Sequence, residues 1–88
     1  MDIILEEKDL LEREEAFDWL HAMLPFDWEW GNNLDALHDV LTSAGKLTIT
    51  FIESKEKTAF SRKLLHVFEE SEYENPEFTF VHMPEYAH

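Results

Sequence analysis

The sequence predicts an α/β domain in which a three-stranded parallel sheet packs against about three main helices. Short apolar runs alternate along the chain with segments whose apolar residues recur at helical spacing. Strands that are separated by helices favour a parallel sheet with right-handed crossovers. With 88 residues, 44% of them hydrophobic, the chain can bury one core. We therefore expect residues 1–88 to form a single domain, with residues 83–88 as a C-terminal tail.

Three apolar runs are the candidate strands. Ile3–Leu5 is short and suited to a buried strand, and Phe78–Val81 is the last such run. Leu47–Ile52 is the clearest of the three, because it is rich in β-branched and aromatic residues.

Three segments with helical periodicity are the candidate helices. We expect them at Arg13–Leu24, Asn33–Ser43 and Thr58–Ser71. Pro25 ends the first helix, because the residue before a proline avoids the helical conformation. Asn32 or Asn33 can cap the second helix, and Gly45 is a candidate stop for it. Asn75-Pro76 ends the third.

The charge of the chain is strongly negative. Twenty acidic residues against seven basic ones give a formal net charge of −13. Such a field repels phosphate backbones and attracts a basic partner, which argues against nucleic-acid binding. Solubility alone also explains an acidic surface. The start of the chain, Met1–Glu7, lacks the basic residues and longer apolar run of a secretory signal, and no segment is apolar enough to span a bilayer. We expect a cytoplasmic protein without membrane contact.

The second helix carries two aspartates on its polar side. On a helical wheel, Asp35, His38, Asp39 and Thr42 fall together, opposite an apolar side. The helix dipole favours Asp35 in the first turn, whereas Asp39 lies mid-helix, where Asp has poor propensity. Like charges four residues apart destabilise a helix by about 0.2–0.5 kcal/mol. The pair is therefore either a binding feature or an ordinary solvated face.

The segment Trp30–Thr42 resembles the signature of the barstar family, which are intracellular inhibitors of barnase-type ribonucleases. The matching residues are Gly31, Asn33, Leu34, Asp35, Ala36, Leu37 and Asp39. The order of predicted elements also agrees with the family, and Val67–Glu70 is similar to part of its last helix. This extends a looser resemblance over nearly the whole chain.

The resemblance implies an inhibitor that occludes a ribonuclease active site with its loop and second helix. Asp39 would place a carboxylate where the substrate phosphate sits, paired with arginines and a histidine of the enzyme. Asp35 would support it, and Glu70 would contact the enzyme from the side. The other residues expected at this surface are Glu29, Trp30, Gly31, Asn33, His38 and Thr42.

Two of these positions depart from the family pattern. Glu29 stands where a tyrosine is usual, and His38 stands where a tryptophan is usual. Because aromatic anchors often carry much of the binding energy of an interface, these two replacements leave the identity of the target protein open. Trp28 and Trp30 are possible substitutes, although Trp30 also suits a core position between loop and helix.

The predicted function is one-to-one inhibition of a basic, barnase-type ribonuclease, which in a bacterium means immunity to the cell's own toxin. The alternative is a barstar-like immunity or adaptor protein for a different basic toxin or a nucleic-acid-binding partner. An enzyme is not expected, because no serine stands in a nucleophile elbow or triad context. No cofactor is expected either, since there is no glycine-rich phosphate loop. The five histidines show no HxxxH or HExxH spacing, and the chain has no cysteine, so no metal site is predicted.

Overall fold

The computed structural model describes residues 1–26 and 29–84 and, within them, confirms the predicted α/β fold. Three strands and three α-helices follow one another along the chain. They are β1 (Asp2–Glu6), α1 (Arg13–Met23), α2 (Leu34–Thr42), β2 (Leu47–Ile52), α3 (Ala59–Glu74) and β3 (Phe78–Met83), with a 3₁₀ helix at Glu7–Asp9 after β1. Trp28 and the end of the predicted tail, residues 85–88, lie outside the described residues.

The sheet is parallel throughout and has the order β1-β2-β3. Its register places Ile3 beside Ile49 and Ile49 beside Phe80. The next row along the strands joins Ile4, Thr50 and Val81. Because side chains alternate along a strand, these two rows point to opposite faces of the sheet.

The helices cover only one face of this sheet. Buried apolar side chains from all three strands and all three α-helices form one core, whose largest fully buried members are Phe17, Phe51, Phe68 and Phe78. On the other face Ile4 is 62% exposed and Val81 is 39% exposed. Among the described residues, no helix combines the length and the apolar character needed to cross a membrane.

Most element ends lie within one residue of the predicted ones, and the differences that matter most concern the ends of α2, α3 and β3. α2 ends at Thr42, and Gly45 is not its stop, because Ser43 closes the helix and the glycines do not adopt positive φ. α3 continues to Glu74, three residues beyond the predicted end, and Asn75 closes it. Met83 belongs to β3 rather than to the tail.

A buried carboxylate joins the start of α3 to the end of β1. The side chain of Glu7 is fully buried and accepts a hydrogen bond from the Ser61 hydroxyl at 2.7 Å and from Arg62 Nη2 at 3.0 Å. It also accepts one from the backbone N–H of Ser54 at 3.1 Å. A buried charge is tolerated only when it is paired and hydrogen-bonded in this way. Glu7 therefore fixes α3 against the sheet.

A second acidic residue, Glu53, follows β2 and gathers positive charge around it. His82 Nε2 lies 2.6 Å from its carboxylate, Lys57 Nζ 3.2 Å and Arg62 Nη2 3.6 Å. Desolvation on its own would raise the pKa of Glu53, but its interactions with Lys57 and His82 outweigh that effect and leave the pKa below its ordinary value. The ionised carboxylate is thus the form that the fold stabilises.

Candidate functional site

Asn33 caps the N-terminus of α2, as predicted for Asn32 or Asn33. Its Oδ1 accepts a hydrogen bond from the backbone N–H of Ala36 at 2.7 Å, which satisfies one of the free donors of the first turn. Gly31 makes room for this cap. A Cβ at Gly31 would lie 2.9 Å from Asn33 Nδ2, closer than real Cβ contacts allow.

The loop before α2 is held by α1. Arg13 Nη2 donates to the Asn32 carbonyl at 2.9 Å, and His21 Nε2 lies 2.6 Å from Asn32 Oδ1. Trp30 packs between the two elements, with its ring 4.0 Å from that of His21 and 6.2 Å from that of Phe17. These contacts fix where α2 begins.

The sequence-predicted residues of this loop have different orientations. Glu29, Gly31 and Asn33 are exposed. Trp30 is only 9% exposed, which matches the core position considered for it and leaves little of its ring for a partner to contact. Its role is to support the loop from within.

The C-terminus of α2 is held by Asn75, the residue that closes α3. The buried Asn75 side chain donates from Nδ2 to the carbonyls of Leu41 at 2.9 Å and Ala44 at 3.0 Å. Its Oδ1 accepts from the backbone N–H of Glu77. The last carbonyls of a helix lack partners within the helix, so Asn75 acts as a cap supplied from a distant part of the chain. α2 is therefore anchored at both ends.

The outward side of α2 carries the predicted polar residues. Asp35 and Asp39 are exposed, whereas His38 and Thr42 are partly buried. The Thr42 hydroxyl donates to the backbone carbonyls of His38 and Asp39 within the same helix. Within residues 1–26 and 29–84, neither aspartate side chain has a hydrogen-bond or ion-pair partner. Both carboxylates are therefore available to a partner.

His38 is paired with a residue that the sequence did not single out. Its Nε2 lies 2.7 Å from Glu74 Oε2, across the contact between α2 and α3. Glu70, one turn before Glu74, comes within the same cluster, and its carboxylate also lies 3.6 Å from His66 Nε2. The only sequence signal for Glu74 was its spacing of four residues from Glu70 on a helix.

A shallow groove of about 570 Å³ brings Asp35 and Glu70 to the same surface. The groove is also lined by Leu34, Arg62, Lys63, His66 and Val67. The acidic surface is defined here as Asp35, Asp39, Glu70 and Glu74. It crosses from α2 to α3 and lies on the helical side of the molecule.

Comparison with protein families identifies the family of the chain. The family model described as Barstar (barnase inhibitor) matches residues 2–82, nearly the whole chain. The chain belongs to the barstar family. Barstar family members are inhibitors rather than enzymes, and membership suggests a barnase-type ribonuclease inhibitor or a related protein. A search of curated proteins finds no match.

Proposed function

We propose that this barstar-family protein inhibits a basic, barnase-type ribonuclease by covering its active site, in a one-to-one complex. Asp39 is the central residue and Asp35 and Glu70 support it. The protein contributes no chemistry of its own. The carboxylates of the acidic surface would take the place of the RNA phosphates in the active site of the enzyme.

The observation that carries the proposal is the state of the two aspartates. Their side chains are exposed and have no partner among the described residues, yet the helix that bears them is capped at one end by Asn33 and held at the other by Asn75. A surface that is already ordered loses less entropy on binding. A carboxylate that forms an ion pair within the protein is less available to a partner. Neither aspartate forms such a pair among the described residues.

Electrostatics favour the same partner. A carboxylate that is desolvated among guanidinium groups makes charge-assisted, bidentate hydrogen bonds, which are about twice as strong as neutral ones. The net charge of −13 also draws a cationic cleft toward the protein before contact. Because this attraction is screened, we expect added salt to slow association more than it speeds dissociation.

Titration of a barnase-type ribonuclease with the purified protein tests the proposal. We expect RNA cleavage to fall linearly and to vanish at one inhibitor per enzyme. Full activity at a severalfold excess of folded protein, together with no binding at micromolar concentration, would contradict inhibition of this enzyme class.

One observation favours a second candidate, a barstar-like immunity or adaptor protein for another basic partner. At the position where the family usually carries tryptophan, the ring of His38 is engaged by Glu74 instead of presenting an exposed aromatic surface. An interface built on carboxylates without that anchor suits a target of different shape. Failure to bind barnase-type enzymes, with specific binding to another basic toxin that Asp39→Ala abolishes, would select this alternative.

A further inference from the structure

We infer that His38, Glu70 and Glu74 form a binding site for a divalent transition-metal ion, for which Zn²⁺ is the natural probe. One ligand atom from each of the three side chains lies within 4.8 Å of the other two. His38 comes from α2, whereas Glu70 and Glu74 occupy successive turns of α3. The packing of α2 on α3 therefore assembles a set of one imidazole nitrogen and two carboxylate oxygens.

The donor set suits zinc in number and in kind. Zn²⁺ binds histidine nitrogen at about 2.0–2.1 Å and carboxylate oxygen at about 2.0–2.2 Å, so two ligand atoms on one tetrahedral ion lie about 3.4 Å apart. His38 Nε2 and Glu74 Oε2 form a hydrogen bond at 2.7 Å, and the two atoms would move slightly apart to bind the ion in place of the proton between them. The Glu70 oxygen, which lies within 4.8 Å of both atoms, would move closer to them. Three protein ligands with a water on the exposed side is a recurrent arrangement for this ion.

The surroundings distinguish this cluster from the other histidine–glutamate pairs. His82 also contacts a carboxylate, that of Glu53, but Lys57 and Arg62 already supply positive charge there. Among the described residues, no lysine or arginine pairs with Glu70 or Glu74. A cation at His38 would therefore meet two carboxylates that no lysine or arginine of the described residues neutralises, in a protein whose net charge attracts cations.

The sequence alone could not show this site, because the histidine and the glutamates are more than thirty residues apart. A motif search finds metal ligands only when their spacing follows one helix or one loop. Here the spacing is created by the fold.

Calorimetric titration of the whole protein with ZnCl₂ tests the inference, and no partner protein is present in the measurement. We expect one ion to bind per chain, with a rise in the melting temperature as zinc is added. His38→Ala and Glu74→Gln should each weaken binding roughly tenfold or more, as losses around metal sites commonly do. The matched control His82→Ala removes the ring of the histidine–glutamate pair at the end of the sheet and should leave the affinity unchanged.

Three results would overturn the inference. The first is no heat of binding up to millimolar zinc, and the second is binding that survives both His38→Ala and Glu74→Gln. The third is loss of binding in His82→Ala, which would move the ion to the end of the sheet. Circular dichroism of each variant verifies the fold, and Glu74→Gln decides the outcome if His38→Ala does not fold. Because the ribonuclease is absent, these results are independent of whether the protein is an inhibitor.

Discussion

Asn75→Ala should destabilise the protein strongly, although the residue lies outside the acidic surface. The side chain is 6% exposed, donates to the carbonyls of Leu41 and Ala44 and accepts from the N–H of Glu77. A hydrogen bond contributes about 1 kcal/mol net, and a buried group left without a partner costs about 1–3 kcal/mol. Leu41 keeps a second bond from Ala44 N at 3.3 Å, which limits the loss on that side. We expect a loss of about 2–4 kcal/mol.

This loss is a large part of the total. A chain of 88 residues has a free energy of unfolding of roughly 4–13 kcal/mol at the usual value per residue. Urea unfolding followed by circular dichroism measures the change, and the melting temperature should fall by roughly 10–30 °C. Asn75→Asp is the sharper variant, because it keeps the shape and the acceptor but sets a carboxylate against two carbonyls. If Asn75→Asp were no less stable than Asn75→Ala, or if both lost under about 0.5 kcal/mol, the capping role would be refuted.

Three further predictions concern stability. The Ser71 hydroxyl is fully buried and has no hydrogen-bond partner among the described residues. Ser71→Ala should therefore raise the free energy of unfolding by about 1 kcal/mol. A lower free energy of unfolding, measured with urea, would show that the hydroxyl is hydrogen-bonded. Gly31→Ala should displace the Asn33 cap at a cost of about 1 kcal/mol. In an Asn33→Ala background the same change should cost little, and equal costs in both backgrounds would exclude this mechanism. The pKa of Glu53 is lower in the folded protein than in the unfolded chain, where it is about 4.3. The stability that Glu53 contributes is therefore complete above the unfolded-state pKa and is lost as the pH falls through the lower folded-state pKa. Glu53→Gln should therefore flatten the decline in unfolding free energy between about pH 5 and pH 3, and parallel profiles for the two proteins would count against this assignment.

The strands and helices could be predicted because local sequence determines them. Leu47–Ile52 is a strand in the sequence pattern and in the structure, with the same bounds. The apolar side of the second helix could also be predicted, since Leu37, Val40 and Leu41 are buried as their spacing indicates. The residues opposite this apolar side form the polar side of the helix. The sequence alone therefore predicts that Asp35 and Asp39 lie on an exposed face.

The long-range polar contacts could not be predicted in this way. Asn75 reads as a helix breaker beside Pro76, and nothing local shows that its amide reaches α2, more than thirty residues earlier. Glu7 reads as one of many surface glutamates, yet it is fully buried because Ser61 and Arg62 come from α3 to meet it. The pairing of His38 with Glu74 has the same origin. In each case the partner is selected by tertiary packing.

The affinity of Asp39→Ala for a barnase-type ribonuclease tests the central claim most directly. Removing one member of a desolvated charge pair costs about 3–5 kcal/mol, which is roughly a hundredfold to a few thousandfold in Kd at 1.4 kcal/mol per factor of ten. Asp2→Ala, which removes the same charge from the opposite face of the sheet, is the matched control and should change Kd by less than about threefold. The account predicts that large difference, with both variants as stable as the parent within about 0.5 kcal/mol. Equal affinities for the two variants, or binding that neither one alters, would contradict it.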